Sequence, residues 1–158
     1  MIGLGWDSHR LEPGRRLVLG GVEIPGELGL AGHSDADVLT HAIMDALLGA
    51  AGLGDIGERF PDTDPRYRDA DSIELLRAVV TELADRGIAV EHVDSTVLIE
   101  RPRLSGHKAA MRERLAGALG ISVGRINVKA STGEGMGFVG RGEGVAALAV
   151  ARLAHLPR

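Results

Sequence analysis

The feature that most constrains the fold is a change of hydrophobic periodicity near residue 33. Residues 1–9 and 16–24 carry apolar side chains at the spacing of β-strands, and Gly20-Gly21 interrupts the second segment, which predicts a hairpin or tight bend. From 33 to 52 the apolar side chains recur at the spacing of an amphipathic helix. A chain that makes this change has to bury a sheet against helices, which predicts an α/β fold.

The rest of the chain continues the alternation of strands and helices. The further predicted elements are a loop at 60–65, a helix at 71–87, a strand at 88–99, a helix within 101–120 and a strand at 125–131. The alanine-rich tail 144–154 fits either a helix or a buried strand. No internal repeat is visible, so we predict a single-domain α/β sandwich over 1–158, with a mixed sheet and helices on one face.

Composition and charge exclude several classes of function. The 18 Lys and Arg against 22 Asp and Glu give a net charge of −4, and aromatic residues make up 3%, so the basic field and stacking surface of a nucleic-acid binder are missing. No segment approaches the ~20 apolar residues of a membrane span, and no secretory signal is visible. The absence of cysteine excludes disulfides and thiolate chemistry. We therefore expect a cytoplasmic protein without nucleic-acid or membrane partners.

An Asp-x-His pair in the first predicted strand indicates a candidate metal site. Asp7 and His9 point to the same face of an extended segment, and His41 lies on the polar edge of the first predicted helix. One aspartate and two histidines leave a coordination position open, which is typical of a catalytic rather than a structural zinc site. The spacing also fits a plain Asp–His ion pair, because the strand and the helix histidine need not converge.

The start of the first helix is a candidate phosphate site. We expect Ser34 to be the N-cap, with Asp37 at the capping-box position. The free N–H groups at such a helix start, together with the Ser34 hydroxyl, favour an anion. An ordinary serine cap without a ligand fits the same pattern.

Two later segments are further candidates for phosphate binding. Residues 129–138 combine serine and threonine hydroxyls with glycine N–H groups, and Glu134 can hold a hard cation such as Mg²⁺. The same segment taken alone would be a flexible hairpin. Arg101 and Arg103 follow a strand and precede a helix, where they are either phosphate contacts or part of a solvated basic turn.

Three motifs, in this order and at these separations, carry a family resemblance. They read GWDSHR at 5–10, GHSDADVLTHAIMDALLGAAGLGDIGERFPDTDP at 32–65 and VKASTGEGMGFVGRGEG at 128–144. From Gly3 to about Val150 the chain resembles the 2-C-methyl-D-erythritol 2,4-cyclodiphosphate synthase family of non-mevalonate isoprenoid biosynthesis. The resemblance implies a homotrimer with active sites at the subunit interfaces.

The resemblance also implies roles for individual residues. Asp7, His9 and His41 match ligands of a zinc-type ion, and Glu134 matches a residue that helps to hold a second cation, Mg²⁺ or Mn²⁺, on the diphosphate. His33 and Thr132 match positions credited with transition-state stabilisation. The positions that match substrate contacts are Ser34, Asp55, Ile56, Gly57, Phe60, Pro61, Asp62, Thr63 and Asp64 on the phosphate and methylerythritol side, Ile99, Glu100, Arg101, Pro102, Arg103, Leu104 and Ser105 in the cytidine pocket, Ser131 and Gly133 at the phosphates, and Phe138 and Arg141 near a cavity on the threefold axis.

The implied reaction is a metal-dependent intramolecular phosphoryl transfer that converts 4-diphosphocytidyl-2-C-methyl-D-erythritol 2-phosphate to the cyclodiphosphate and CMP. Two alternatives stay open on the residues alone. One is a metal-dependent phosphohydrolase, in which water attacks, and the other is a non-catalytic oligomer that binds diphosphate metabolites. The open-shell ligand set argues against the binder, because a protein that only binds has little use for an unfilled metal position.

The chain departs from the family pattern at two places. Ser131-Thr132-Gly133 stands where the family often has three threonines, which keeps the Thr132 hydroxyl and removes the third one. Ala36 replaces the usual glycine in the H-S-D-x-D motif. Because alanine suits a helix better than glycine, we expect no loss from this replacement.

Overall fold

A computed structural model describes residues 1–157, and Arg158, the last residue of the predicted domain, lies outside the described residues. The strands are β1 (Ile2–Pro13), β2 (Leu17–Leu19), β3 (Val22–Ile24), β4 (Leu28–Leu30), β5 (Ile88–Leu98), β6 (Ile126–Ser131) and β7 (Gly144–His155). The α-helices are α1 (Val38–Ala51), α2 (Ile56–Arg59), α3 (Ser72–Asp85), α4 (Lys108–Leu119) and α5 (Gly137–Gly140), with single 3-10 turns at Pro65–Tyr67 and Val123–Arg125.

Five of the strands form one mixed sheet in the order β4–β1–β7–β5–β6. The β5–β6 pair is parallel and the other three pairs are antiparallel. The remaining strands, β2 and β3, form a separate hairpin whose turn is Gly20-Gly21. The predicted α/β fold, mixed sheet and hairpin are therefore confirmed.

The helix α1 packs directly on one face of β1, at two glycines. A Cβ atom at Gly5 would lie 2.7 Å from the Ala46 nitrogen and 2.8 Å from the Ala42 carbonyl carbon, and Gly3 faces α1 in the same way. These distances leave room for a hydrogen atom and nothing larger. Because side chains alternate along a strand, the face of β1 that meets α1 at these glycines also carries the next residues in the same register, Asp7 and His9.

The helices α3 and α4 complete the layer on this side of the sheet. Their apolar faces are fully buried beside α1 and β6. The side chains that form these faces include Leu76, Val79 and Leu83 of α3 and Met111, Leu115 and Leu119 of α4. The sheet thus has a covered face, and the ligand residues of β1 point into it.

The opposite face of the sheet carries exposed apolar side chains. Ile2 is 75% exposed, Leu4 67% and Trp6 49%, and Val150 of the neighbouring strand lies beside them in register with Leu4. Ile2, Leu4, Trp6 and Val150 therefore form an uncovered apolar surface on the sheet, on the side away from the helices.

Among residues 1–157, no helix is long and apolar enough to cross a membrane.

The first helix begins at Val38, so the prediction of a start near Ser34 is wrong. Asp37 is the N-cap, and its buried carboxylate accepts hydrogen bonds from the backbone nitrogen and the hydroxyl of Thr40. The same carboxylate accepts from the turn nitrogens Gly20 N at 2.9 Å and Gly21 N at 2.7 Å. Asp37 therefore joins the β2–β3 hairpin to α1, and its carboxylate fills the helix start that was predicted to attract a phosphate.

Ala36 lies before this helix and adopts a φ of 56°. This value is in the left-handed region, which favours glycine over residues with a Cβ. The expectation that alanine suits the position because it is helical is therefore wrong, since the residue is not in the helix and glycine would be the less strained choice.

The ambiguous tail is a strand. As β7 it pairs with β1 on one side and β5 on the other, which makes it a central strand of the sheet. Its buried alanines, among them Ala147 and Ala149, bring the sheet surface close to α1. The small side chains that favour a helix by propensity serve here to let a helix approach, so tertiary packing overrides propensity.

Candidate active site

Asp7, His9 and His41 bring three ligand atoms together at the junction of β1 and α1. Asp7 Oδ2 lies 2.9 Å from His9 Nε2 and 3.1 Å from His41 Nδ1, and the two ring nitrogens are 3.4 Å apart. His41 is buried in the first turn of α1, whereas Asp7 and His9 are half-buried on β1. The strand pair and the helix histidine do converge, as the metal-site reading of the sequence requires.

The spacing of these three atoms fits a divalent cation. A tetrahedral site with metal–ligand bonds of about 2.0–2.1 Å has ligand–ligand edges of about 3.3–3.4 Å. The observed edges of 2.9, 3.1 and 3.4 Å come close to that geometry. All three ligand residues line the adjoining cavity, and one carboxylate with two imidazoles would leave a fourth position of such an ion open. The donor set therefore fits a metal of the zinc type with an open coordination site.

The ring of His9 is held in the tautomer that a metal requires. His9 Nδ1 lies 2.9 Å from the carbonyl oxygen of Ala31. Because a carbonyl only accepts, Nδ1 carries a proton, and Nε2 is the ring nitrogen left to bind an ion at the shared point. A backbone carbonyl behind the ring is typical of histidines that bind metals.

Asp7 and His9 also shift each other's ionisation. Burial by itself raises the pKa of Asp7, but hydrogen bonds from His41 and His9 outweigh burial and lower the pKa to about 2. Burial lowers the pKa of His9, yet the Asp7 carboxylate and the Ala31 carbonyl together raise it above its usual 6.5. Asp7 is therefore an anion at neutral pH, which is the form that binds a cation.

A cavity of about 390 Å³ opens beside the three ligand atoms. It is mostly apolar, with polar groups at the ligand end, as is typical of small-molecule sites. Predicted substrate residues that line it are His33, Ser34, Ile56, Gly57, Phe60, Pro61 and Asp62. Met44, Tyr67 and Leu75 line it as well and were not predicted.

Three predicted substrate residues near this cavity do not line it. Asp55 is the N-cap of α2 and accepts a hydrogen bond from the Glu58 nitrogen. Asp64 pairs with Arg66, which lowers the pKa of its carboxyl group, and its carbonyl oxygen lies 3.0 Å from His33 Nε2. Thr63 is exposed in the loop between them. These residues shape the cavity wall through α2 and the loop rather than by facing the cavity.

A second cavity, of about 250 Å³, lies between the end of β5 and α4. It gathers the predicted cytidine residues Ile99, Glu100, Pro102, Arg103, Leu104 and Ser105 with Ser131 and Thr132, while Arg101 is exposed outside it. Lys108 at the start of α4 also lines it and was not predicted. The two cavities share no lining residue, so His33 and Thr132, the predicted catalytic pair, lie in different cavities of one chain.

Glu134 lies on a tight exposed loop and does not belong to the cluster of Asp7, His9 and His41. Its own φ is 52°, and the carboxylate of Glu100 accepts hydrogen bonds from Gly133 N at 2.8 Å and Gly135 N at 3.3 Å. Glu100, predicted as a substrate contact, therefore holds the loop that carries Glu134.

The loop geometry also accounts for the glycine where the family often has a threonine. A Cβ at Gly133 would lie 2.6 Å from the Gly140 nitrogen and 2.7 Å from the Met136 carbonyl oxygen. This loop conformation therefore excludes a threonine at the third position.

The last two predicted contacts, Phe138 and Arg141, belong to the segment that precedes β7. Phe138 lines a shallow cavity with Ser8 and His9, and Arg141 pairs with Glu143 at 3.1 Å. Both side chains are exposed in the single chain.

Sequence reasoning missed one group of residues behind His41. Ser72 Oγ lies 2.9 Å from His41 Nε2 and is in turn hydrogen-bonded to Asp35. Ser72 lies 31 positions from His41 and is the first residue of α3. The sequence pattern there indicates the start of a helix and no functional role. No local spacing signal joins the two residues, because α3 meets α1 only in the folded chain.

Comparison with known proteins identifies the family. The YgbB family matches residues 1–154. The chain is 59% identical to 2-C-methyl-D-erythritol 2,4-cyclodiphosphate synthase of Symbiobacterium thermophilum (strain DSM 24528 / JCM 14929 / IAM 14863 / T), over 98% of each chain. It is 61% identical to the bifunctional enzyme IspD/IspF of Anaeromyxobacter dehalogenans (strain 2CP-C), covering 96% of this chain but only 39% of that longer protein.

A solved structure agrees with this relationship. The structure of 2C-methyl-D-erythritol-2,4-cyclodiphosphate synthase in its CDP-bound form superposes with a TM-score of 0.90 at 41% identity, over 98% of this chain and 100% of that one. Family match, identity and fold all agree over nearly the full length. The chain therefore belongs to the YgbB family, the family of the 2-C-methyl-D-erythritol 2,4-cyclodiphosphate synthases.

Proposed function

We propose that this chain converts 4-diphosphocytidyl-2-C-methyl-D-erythritol 2-phosphate to 2-C-methyl-D-erythritol 2,4-cyclodiphosphate and CMP. The observation that carries the proposal is the convergence of Asp7, His9 and His41 at the polar end of a cavity of substrate size. The name of the relative that is 59% identical over 98% of this chain supports the same reaction. A cytoplasmic location remains a prediction from the sequence.

The reaction is an internal phosphoryl transfer. An oxygen of the substrate's 2-phosphate attacks the β-phosphorus, the bond from that phosphorus to the CMP oxygen breaks, and CMP leaves with the electron pair. Because two anionic groups must meet, the protein contributes mainly positioning and neutralisation of charge. A divalent cation held by Asp7, His9 and His41, which we propose is Zn²⁺, supplies Lewis-acid stabilisation of the phosphate charge when bound.

Side chains of both cavities are proposed to bind the substrate and the second cation. His33 and Ser34 lie at the polar end of the first cavity, where they can orient a phosphate. Thr132 presents its hydroxyl from the second cavity, and we propose that it acts with His33 on the transition state. Glu134, on its loop near that cavity, is proposed to hold the second cation, Mg²⁺ or Mn²⁺.

We further propose that the active form is a homotrimer in which two copies complete each site. One substrate molecule has to contact both cavities, and these share no residue within a single chain. The exposed apolar face of the sheet, which includes Ile2, Leu4 and Trp6, supplies a surface for contact between copies. In such an assembly Phe138 and Arg141 are predicted to lie near the threefold axis.

The direct test is product analysis with the cytidine-linked substrate, with and without a chelator. We expect the cyclic diphosphate and CMP by ³¹P NMR, with no oxygen incorporated from ¹⁸O-labelled water. An opened, ¹⁸O-labelled phosphate would indicate a phosphohydrolase instead, and binding without turnover would indicate a non-catalytic binder.

A variant tests the role of the metal ligands in the same assay. His41→Ala should lose bound metal and product formation together, because it removes one of three ligands. His155→Ala, which removes an exposed histidine at the end of β7, is the matched control and should retain both. Full turnover by a metal-free His41→Ala protein would refute the metal assignment.

A further inference from the structure

A buried chain of polar contacts runs from His41 away from the ligand atoms. His41 Nδ1 faces Asp7, and on the far side of the ring His41 Nε2 lies 2.9 Å from Ser72 Oγ. The Ser72 hydroxyl lies 2.5 Å from Asp35 Oδ1, and the Ser72 backbone nitrogen donates to Asp35 Oδ2 at 2.9 Å. Ser72 is fully buried, so no solvent competes for these contacts.

The directions of these hydrogen bonds follow from the chemistry of the groups. The Asp35 carboxylate only accepts, so the Ser72 hydroxyl donates its single proton to Asp35. The Ser72 oxygen is then an acceptor toward His41, and His41 Nε2 must carry a proton to donate to it. With Nε2 committed to Ser72, His41 Nδ1 is the ring nitrogen left to bind an ion at the point it shares with Asp7.

A second hydroxyl near His41 does not fix the ring in this way. Ser34 Oγ lies 3.2 Å from His41 Nε2 and accepts a longer bond, of 3.3 Å, from the Ala36 nitrogen. Apart from His41 Nε2, no acceptor lies within hydrogen-bond distance of the Ser34 hydroxyl among the described residues. Ser34 can therefore donate to Nε2 or accept from it. Of these two hydroxyls, only that of Ser72, whose proton is committed to a carboxylate, requires a proton on His41 Nε2.

We propose that Ser72 and Asp35 are positioning residues that fix the tautomer and orientation of His41 for metal binding. The inference rests on the proposed metal site of Asp7, His9 and His41 and goes beyond it, because neither Ser72 nor Asp35 contacts the ligand point. Partners behind a metal-binding histidine typically change metal affinity by about 10–100-fold when they are removed.

Zinc affinity, measured by competition with a chromogenic chelator, tests the proposal. Ser72→Ala should lower the affinity by about 10–100-fold. Asp35→Asn, which keeps an acceptor but removes its charge, should lower it less. The control is Ser95→Ala, which removes another buried hydroxyl, one that donates to the Asn127 carbonyl oxygen at 2.8 Å on the sheet, and it should keep the parental affinity.

The ring nitrogens of His41 supply a second readout that a general loss of stability would not change. In the zinc-loaded parent, ¹⁵N NMR should report the His41 proton on Nε2 and the ion on Nδ1. In Ser72→Ala at the same zinc concentration, part of the signal should instead report a ring without a proton on Nε2, because Ser34 can donate to that nitrogen. If Ser72→Ala fails to fold, Asp35→Asn carries the same test.

The outcomes separate this inference from the proposed function. Parental affinity and an unchanged tautomer in both Ser72→Ala and Asp35→Asn, with a parent that binds zinc, would overturn the positioning role alone. A parent that binds no zinc at the three ligands would overturn the proposed metal site and this inference with it. An affinity loss in Ser95→Ala equal to that in Ser72→Ala would assign the effect to stability and would also overturn the proposal.

Discussion

Replacing Gly5 with alanine should push apart the strand and the helix that together carry the ligands. A Cβ at this position would overlap the Ala42 carbonyl oxygen, and it would lie 2.7 Å from the Ala46 nitrogen and 2.8 Å from the Ala42 carbonyl carbon. Ordinary van der Waals contact begins at 3.4 Å, so the Ala46 nitrogen has to move by at least 0.7 Å and the Ala42 oxygen by more. All three contacts are with helix backbone, which cannot rotate away as a side chain can. Ala42 directly follows His41, so the displaced segment carries a ligand.

The expected effects follow from that displacement. Overpacking of this kind costs about 1–3 kcal/mol, which for a chain of this size lowers Tm by about 2–12 °C. Metal sites hold their ligand distances to within about 0.2 Å, so a shift of 0.7 Å takes His41 out of range of an ion bound to Asp7 and His9. We therefore expect zinc affinity to fall by about tenfold or more.

Thermal unfolding of the metal-free protein and zinc competition measure the two effects separately. Gly49→Ala is the matched control on the same helix, because a Cβ there would lie 4.0 Å from the Leu4 carbonyl oxygen. Alanine is favoured over glycine in a helix by about 0.5–1 kcal/mol, so this variant should gain stability and keep its affinity. A Gly5→Ala protein with parental Tm and parental zinc affinity would refute the argument that close packing at Gly5 sets the site.

Three further predictions concern the helix cap, the Glu134 loop and the metal-free ligand pair. Asp37→Asn should lower the free energy of unfolding by about 2–4 kcal/mol, because an amide NH₂ would face N–H donors; an unchanged urea midpoint would contradict this. Gly133→Thr should lower Tm, since its Cβ would lie 2.6 Å from a backbone nitrogen of α5, whereas Gly117→Ala, which meets nothing within 4 Å, should not. Asp7, with a folded pKa of about 2 against 3.8, stabilises the metal-free protein above pH 3.8 and loses that contribution as the pH falls toward 2. The raised pKa of His9 gives stability that is complete below pH 6.5 and lost as the pH rises through the folded value. Urea unfolding at several pH values should show this upper loss in the parent and not in His9→Gln.

Much of the site could be predicted because its key residues lie on regular elements. The period of a strand puts Asp7 and His9 on one face whatever the rest of the chain does. His41 required only that the helix pack on that strand, and the glycines of β1 make this packing close. The predicted helix start at Ser34 was wrong, because Asp37 is the N-cap. The Asp37 carboxylate also binds the hairpin turn, and capping rules do not include such a long-range contact.

The remaining features depended on contacts between distant segments. Nothing in the spacing of Ser72 indicates that its hydroxyl would lie behind His41, since α1 and α3 meet only in the folded chain. Helix propensity likewise could not predict the left-handed conformation of Ala36, because a propensity applies only to a residue that is in a helix. The tail is a strand because it pairs with β1 on one side and β5 on the other, and its alanine-rich sequence does not indicate these partners.

Anomalous diffraction at the zinc absorption edge, from crystals of the zinc-loaded protein, tests the central claim most directly. One ion per chain should lie about 2.0–2.1 Å from Asp7 Oδ2, His9 Nε2 and His41 Nδ1, with its fourth position toward the cavity that His33 and Ser34 line. An ion bound elsewhere, or an ion that contacts His41 through Nε2, would contradict the account.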